Sequence, residues 1–204
     1  MRPLKGIKVV ELGTFVTGPF AGMLLADLGA TVIKVEVPGG GDPFRSYGGN
    51  LYGPQFQAFN AGKRSLALNL KSPEGVEALL RLLAASDILI ENFRPGVLDK
   101  LGLGWATLHE RSPRLIQCSI TGFGTEGPNA ERPCYDTVAQ AASGYLSQFT
   151  DASTPDIRGP AVADSISGFY AAYGLLGALF ERVRTGRGVK VEVSMLDALV
   201  AFGR

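Results

Sequence analysis

The sequence predicts an α/β protein, a doubly wound parallel sheet with flanking helices. Three observations carry this expectation. Residues 7–12 form a short apolar run, residues 21–28 space Leu and Ala as a helix does, and residues 31–36 are again β-branched. The same succession of strand and helix patterns returns further along the chain. No internal repeat or low-complexity linker interrupts it, so residues 1–204 read as one continuous, Rossmann-like domain.

The first strand, helix and strand imply a right-handed parallel crossover. Residues 65–69 read as the next strand, 72–85 as a helix and 88–91 as a strand. Ser72 is placed to cap that helix, Pro73 suits its first turn, and Glu74 complements its dipole. A helix over 104–111 leads into a strand over 115–121. Residues 164–183 carry Gly, Ala and Tyr at close-packing positions and predict a long buried helix with Asp164 at its N-terminus. The TGRG turn then feeds a strand over 189–194, and residues 195–204 begin a helical pattern. The Gly/Pro-rich stretch 38–53 is too short and too mixed for an interdomain tether.

With 204 residues the chain can bury a core without disulfide or metal support. Charged residues make up 19% and the net charge is +1, which offers no basic surface for a nucleic-acid backbone. Cys118 and Cys134 lie far apart without CxxC spacing, so neither a zinc site nor a disulfide is expected, and both read as reduced, buried thiols. The start lacks the long apolar run of a signal peptide. The apolar stretch 169–180 is too short for a membrane span, and a cytoplasmic location is the expectation.

Candidate chemistry gathers at the strand ends. The turn GTFVTGP after the first strand has the shape of a nucleotide-binding turn without GxGxxG or Walker A spacing, and alone it is read as plain connection chemistry. ENFRPG, residues 91–96, sets an amide, an aromatic face and a guanidinium at a strand's carboxyl end, where such folds bind ligands; a solvated loop is an equal reading. Lys34, Lys63, Arg64, Lys71, Arg94 and Lys100 lie near strand ends and turns, a distribution compatible with gripping phosphates, with scattered surface solvation the default reading for most of them. His109 is the only histidine, on a charged helix, and is expected at the surface, which leaves no histidine triad or metal cluster. Asp164 alone reads as an N-cap.

Taken together, VVELGTFVTGP, DLGATVIKVE, FNAGKRSLALNLKSPEG, ENFRPG, GFGTEGP, YDTVAQAASG, ADSISG and TGRGVKVEVSMLDA resemble, in that order and over nearly the whole chain, the family III CoA-transferases of the formyl-CoA and carnitine-CoA type. The resemblance implies an acyl-CoA:carboxylate CoA-transferase with Asp164 of ADSISG as nucleophile. A carboxylate with a reference pKa of about 3.9 is ionised at neutral pH and needs no base to attack a thioester. The implied course runs through a mixed anhydride and an aspartyl-CoA thioester to the acylated acceptor acid.

By the same resemblance Phe15 and Val16 contact CoA before the Gly18-Pro19 bend, and Leu68 and Leu70 surround the adenine. Asn92, Phe93, Arg94 and Lys100 are further contacts, and Tyr135 and Asp136 line the thioester end. No metal and no tightly bound cofactor are implied, CoA thioester being the substrate. Val37-Pro38 stand where some relatives carry an arginine pair, and Pro133 where some carry lysine, which turns attention to Arg132 for phosphate.

Relatives that racemise 2-methylacyl-CoA carry histidine where this chain has Tyr135. With a reference pKa of about 10, tyrosine is a poor second base, so transferase is preferred over racemase. Family members resemble one another in forming interlocked homodimers and in continuing through a smaller second domain before returning to the first. The resemblance therefore identifies residues 1–204 with the N-terminal part of the large CoA-binding domain. A truncated, non-catalytic CoA-binding fragment stays open as an alternative, and so do formate, oxalate, succinate, carnitine and aromatic acids as substrates.

Overall fold

The structure, a computed structural model, describes residues 1–49, 52–151, 153–154, 157 and 159–204. Its strands are β1 (Lys8–Glu11), β2 (Thr31–Glu36), β3 (Arg64–Ala67), β4 (Ile88–Glu91), β5 (Ile116–Thr121) and β6 (Lys190–Ser194). They pair in parallel throughout, in the spatial order β3-β2-β1-β4-β5-β6. The chain thus winds outward from β1 to one edge, returns beside β1 with β4, and winds to the other edge. Strand order reverses between β1 and β4, and a crevice opens beyond their carboxyl ends, the position where open α/β sheets bind ligands.

Alternation along the strands feeds two apolar layers. Val9, Val32, Ile88, Ile90, Ile116, Cys118 and Ile120 point to one face, beneath α1 (Thr17–Asp27). Val10, Leu12, Val35 and Leu89 point to the other, where α3 (Pro73–Ala84) supplies the fully buried Leu79 and Leu83. Burying each such leucine contributes about 2 kcal/mol. Short helices α2 (Pro54–Asn60), α4 (Val97–Lys100), α5 (Trp105–Arg111) and α6 (Asp136–Ala142) complete the connections before the long α7 (Val162–Thr185) and the closing α8 (Met195–Phe202). Near its end α7 is tied to the sheet by Arg182, which donates to Asp87 Oδ1 at 2.9 Å and to the Asp87 and Arg114 carbonyls.

The doubly wound reading matches this architecture, with instructive differences. Helix α1 begins at Thr17, because Gly18 and Pro19 occupy its first turn, where no N–H donor is needed, instead of bending the chain. The third helix starts as expected, with Ser72 Oγ accepting from Gly75 N at 3.1 Å. Helices α2, α4 and α6 were not expected. Part of α2's approach, residues 50 and 51 of the Gly/Pro-rich stretch, lies outside the described residues. The helix expected to be buried is buried on one side only: Phe169, Tyr173, Phe180 and Val183 follow the helical period on its outer face and are exposed. Among the described residues no helix is long and apolar enough to cross a membrane.

Beneath α1, four charges are buried together. Glu11 and Lys34 are register partners on β1 and β2, and Lys34 Nζ sits 2.8 Å from Glu11 Oε1, 2.8 Å from Asp42 Oδ2 and 2.7 Å from the Gly13 carbonyl oxygen. Lys63 Nζ takes the other Glu11 oxygen at 2.6 Å and donates to Pro19 O and Asn60 Oδ1. Burial alone would lower the pKa of Lys34, but Glu11 and Asp42 outweigh it and raise it. For Lys63 burial wins over the same attraction, bringing it down to about 8. A β-carbon at Gly22 would collide with the Glu11 carboxylate, so the helix passes over the cluster at a glycine. Replacing Glu11 by Ala leaves two buried ammonium groups without their shared anion. Urea unfolding of Glu11→Ala is expected to show a loss of about 3 kcal/mol or more, against less than about 1 kcal/mol for an exposed control such as Glu77→Ala.

Candidate active site

The turn between β1 and α1 is held in an unfavourable conformation. Phe15 has φ of 60°, the only positive value at a non-glycine residue among those described. Such a conformation costs about 1 kcal/mol or more and persists only where the surroundings impose it. Here Phe15 N donates to Asp42 Oδ1 at 3.1 Å, and Asn92 at the end of β4 brackets the turn: Oδ1 accepts from Thr14 N at 2.9 Å, and Nδ2 donates to Thr14 O and Thr17 Oγ1 at 2.8 Å each. Glycine is required at the base of the turn, since a β-carbon on Gly13 would stand 2.9 Å from Gly18 Cα. The Phe15 ring then rests between Phe44 and Tyr135, with centroids 5.8 and 6.3 Å away.

Asp164 approaches the same place from α7. The helix starts two residues earlier than expected, with Ala161 at its N-cap, so Asp164 sits in the first turn and does not cap it. Its own N–H instead donates to Asp136 Oδ1 at 3.1 Å, and the second Asp136 oxygen accepts from Gln140 Nε2. Helices α1 and α7 meet closely here: a β-carbon on Gly168, one turn beyond Asp164, would lie 2.8 Å from the Thr17 carbonyl oxygen. Burial, and then the neighbouring Asp136 carboxylate, push the Asp164 pKa up to about 7. The expectation of an ordinary carboxylate is therefore revised: burial and Asp136 favour the protonated form well above the usual carboxylate range.

Two adjoining cavities bring together most of the residues singled out in the sequence. One, of about 200 Å³, is lined by Phe15, Val16, Asn92, Phe93, Arg94, Tyr135 and Asp164. The other, about 650 Å³ and largely apolar, is lined by Leu68, Leu70, Val97 and Leu101, and Phe93 and Thr14 belong to both. Asp136 lines neither and stands behind Asp164. Lys100, on α4, is exposed away from both, whereas the exposed Lys71 borders the larger one.

Lys34 and Lys63 are not phosphate grips, because both ammonium groups are buried against Glu11. Cys118 is buried as expected, whereas Cys134 is half-buried and lines the smaller cavity. His109 is half-buried too, stacked on Trp105 at 4.5 Å instead of standing free at the surface. Sequence reasoning missed Asp42 and Glu11. For Glu11 the available signal was a charge at the end of an otherwise apolar strand, whereas Asp42 lies in the Gly/Pro-rich stretch and carried none.

A strained turn and a carboxylate facing one cavity at the switch point could serve many chemistries, and comparison with known proteins narrows them. The model of CoA-transferase family III matches residues 4–203. The chain belongs to that family. It is 39% identical over 205 residues to human succinyl-CoA:glutarate CoA-transferase, covering 98% of this chain and 47% of the relative. Acetyl-CoA:oxalate CoA-transferase of Acetobacter aceti is 42% identical over 207 residues, covering 98% and 52%. Among solved structures, a CAIB/BAIF family protein from Brucella suis superposes with a TM-score of 0.91 at 41% identity, covering 98% of this chain and 55% of that one. The chain spans about half the length of the curated relatives it matches.

The raised Asp164 pKa has a stability consequence. Below about pH 4 both folded and unfolded chains are protonated at this group. Between that and about pH 7 the folded chain keeps a proton that the unfolded chain loses, so this contribution to stability fades as pH rises through the window. Asp164→Asn removes the charge. It is expected to stabilise the protein by about 2 kcal/mol at pH 8 and by little at pH 4, as read from urea unfolding at the two pH values.

Proposed function

We infer that the protein takes part in CoA transfer between carboxylic acids, with Asp164 as the group that carries the acyl and then the CoA moiety. The observation that carries this reading is the placement of the Asp164 carboxylate in the cavity shared with Phe15 and Val16, joined through Phe93 to an apolar cavity lined by Leu68 and Leu70. The apolar cavity suits the adenine, the smaller one the thioester end, and the exposed Lys71 and Arg94 border these two cavities within reach of phosphates. The names of the relatives, which pair succinyl-CoA or acetyl-CoA with a carboxylic acid, support the same class of substrate.

The steps balance without metal or histidine. An ionised Asp164 oxygen attacks the donor's thioester carbonyl, the C–S bond breaks, and CoA leaves as thiolate from a mixed anhydride. The thiolate attacks the aspartyl carbonyl, releasing the donor acid and leaving aspartyl-CoA thioester. The acceptor carboxylate attacks that thioester, giving a second anhydride and thiolate. Attack of the thiolate on the acceptor's carbonyl then yields the new acyl-CoA and restores Asp164. Asp136 serves as a support for the nucleophile, accepting its backbone N–H. In this reading residues 1–204 form the N-terminal part of the large CoA-binding domain. A homodimer belongs to it as well, the exposed apolar face of α7 being a surface that assembly would cover.

Incubation with succinyl-CoA or acetyl-CoA followed by hydroxylamine is expected to convert Asp164 to its hydroxamate, seen by peptide mass spectrometry, and Asp164→Asn is expected to give none. The initial rate of labelling should fall on the acid side with an apparent pKa of about 7, since only the ionised carboxylate attacks. Labelling elsewhere, or none, would sink the reading.

A further inference from the structure

The family resemblance counts Asn92 among the groups that touch CoA, yet its side chain is already engaged. A carboxamide has two N–H donors. In Asn92 one goes to the Thr14 carbonyl oxygen and the other to Thr17 Oγ1, each at 2.8 Å, while Oδ1 accepts from Thr14 N at 2.9 Å. Neither donor is left for a ligand. The three bonds reach the chain on both sides of Phe15, whose left-handed backbone is gripped from the opposite direction by Asp42. Asp42 is in turn anchored by Lys34 at 2.8 Å, so the strained peptide is clamped between the buried charge cluster and the end of β4.

We propose that Asn92 is a positioning residue: it fixes residues 14–17 in the strained form that aims the N-terminus of α1 at the cavity into which Asp164 opens. The inference rests on the transferase reading and deepens it. The step served is attack of the Asp164 oxygen on the thioester carbonyl, forming a C–O bond as the C–S bond breaks and thiolate leaves. That step passes through a tetrahedral oxyanion, which is stabilised by donors already in place. The first amides of α1 have no acceptor within their own helix, and Phe20 N makes its first internal bond, to Val16 O. If the turn relaxes, these amides swing away from the reacting carbonyl, whereas the apolar cavity meets the turn only at its edge, Gly13 and Thr14, and keeps Leu68, Leu70, Val97 and Leu101 in place. Asn92 should therefore govern the rate of acylation and leave CoA affinity alone.

Two near-isosteric changes test this. Asn92→Asp keeps the acceptor for Thr14 N but removes both donors, and Thr17→Val keeps the shape but removes the acceptor. Single-turnover labelling of Asp164 by acetyl-CoA, trapped with hydroxylamine, is read beside CoA binding by calorimetry. Labelling is expected to slow about tenfold or more in each variant, with the CoA dissociation constant within about twofold of wild type. Thr17→Ser, which restores the hydroxyl, should recover most of the rate. The double change Asn92→Ala with Thr17→Val should be no slower than Asn92→Ala alone, as one interaction cannot be lost twice.

Weaker CoA binding in Asn92→Ala, with Thr17→Val behaving as wild type, would make Asn92 a direct ligand and overturn the proposal. So would labelling of Asn92→Asp at the wild-type rate. Should Asn92→Asp fail to fold, the contrast between Thr17→Val and Thr17→Ser decides alone. If wild type shows neither CoA binding nor labelling, the transferase reading falls and this inference falls with it.

Discussion

The Glu11 carboxylate is the point on which the rest of the molecule depends. It ends β1, pairs in register with Lys34 of β2, and reaches Lys63 beyond α2, so one side chain holds three stretches of chain far apart in sequence. Burying a charge is expensive unless each ion is matched and its remaining hydrogen-bonding capacity is filled. Lys34 adds Asp42 and the Gly13 carbonyl, and Lys63 adds Pro19 and Asn60. Gly13 and Asp42 belong to loops at the carboxyl ends of β1 and β2, Pro19 to the first turn of α1, and Asn60 to the end of α2. A hydrophobic replacement of the cluster would fill the space, but it would not dictate where residues 13, 19, 42 and 60 must lie. The ion network supplies directionality where apolar packing, which is indifferent to orientation, cannot.

From that frame the site inherits two opposed tensions. Phe15 is held with a backbone few side chains tolerate, and Asp164 is held with a charge its surroundings resist. Both are unfavourable to folding and both face the same cavity. The carboxylate's discomfort has a chemical meaning: a carboxylate whose pKa is pushed to about 7 is a stronger base and a better nucleophile once ionised than one left in water, at the cost of being ionised only part of the time. The neighbouring Asp136 contributes to both effects, raising the pKa while it accepts the Asp164 N–H and fixes the first turn of α7.

Much of this was legible in the sequence, for physical reasons that differ from element to element. Strands β1, β2, β4 and β5 are buried on both faces, so they read as apolar runs, and α3 carries its start signal in Ser72-Pro73-Glu74. The start of α1 was hidden because Gly18-Pro19 reads as a bend, although proline is equally at home in a first helical turn. Helix α7 was found but its burial was misjudged: apolar residues on two faces look alike in a one-dimensional pattern whether or not both faces are covered. At the site, Asp164 had only a generic N-cap reading until the ordered motifs were compared as a set. The roles of Asp42, Glu11 and the lysines depend on contacts between distant segments, and no local pattern encodes those. For Lys34 and Lys63 neither solvation nor phosphate binding holds, because position was visible in the sequence and pairing with Glu11 was not.

The glycines show how the frame and the site are joined. Gly22 lets α1 lie on the Glu11 cluster, Gly13 and Gly18 let the turn fold on itself, and Gly168 lets α7 approach the Thr17 carbonyl. At Gly13, Gly18 and Gly168 the backbone of one element touches the backbone of the next, and at Gly22 the helix backbone lies directly on the Glu11 carboxylate. A displacement of α1 by even a methyl group's width would therefore pass directly to the turn at Phe15 and to the first turn of α7, where Asp164 sits. The position of Asp164 thus depends not only on its N–H bond to Asp136 but also on close contacts between α7, α1 and the turn, which rest on the buried ions. Such an arrangement makes the distance between the turn and Asp164 a property of the fold itself.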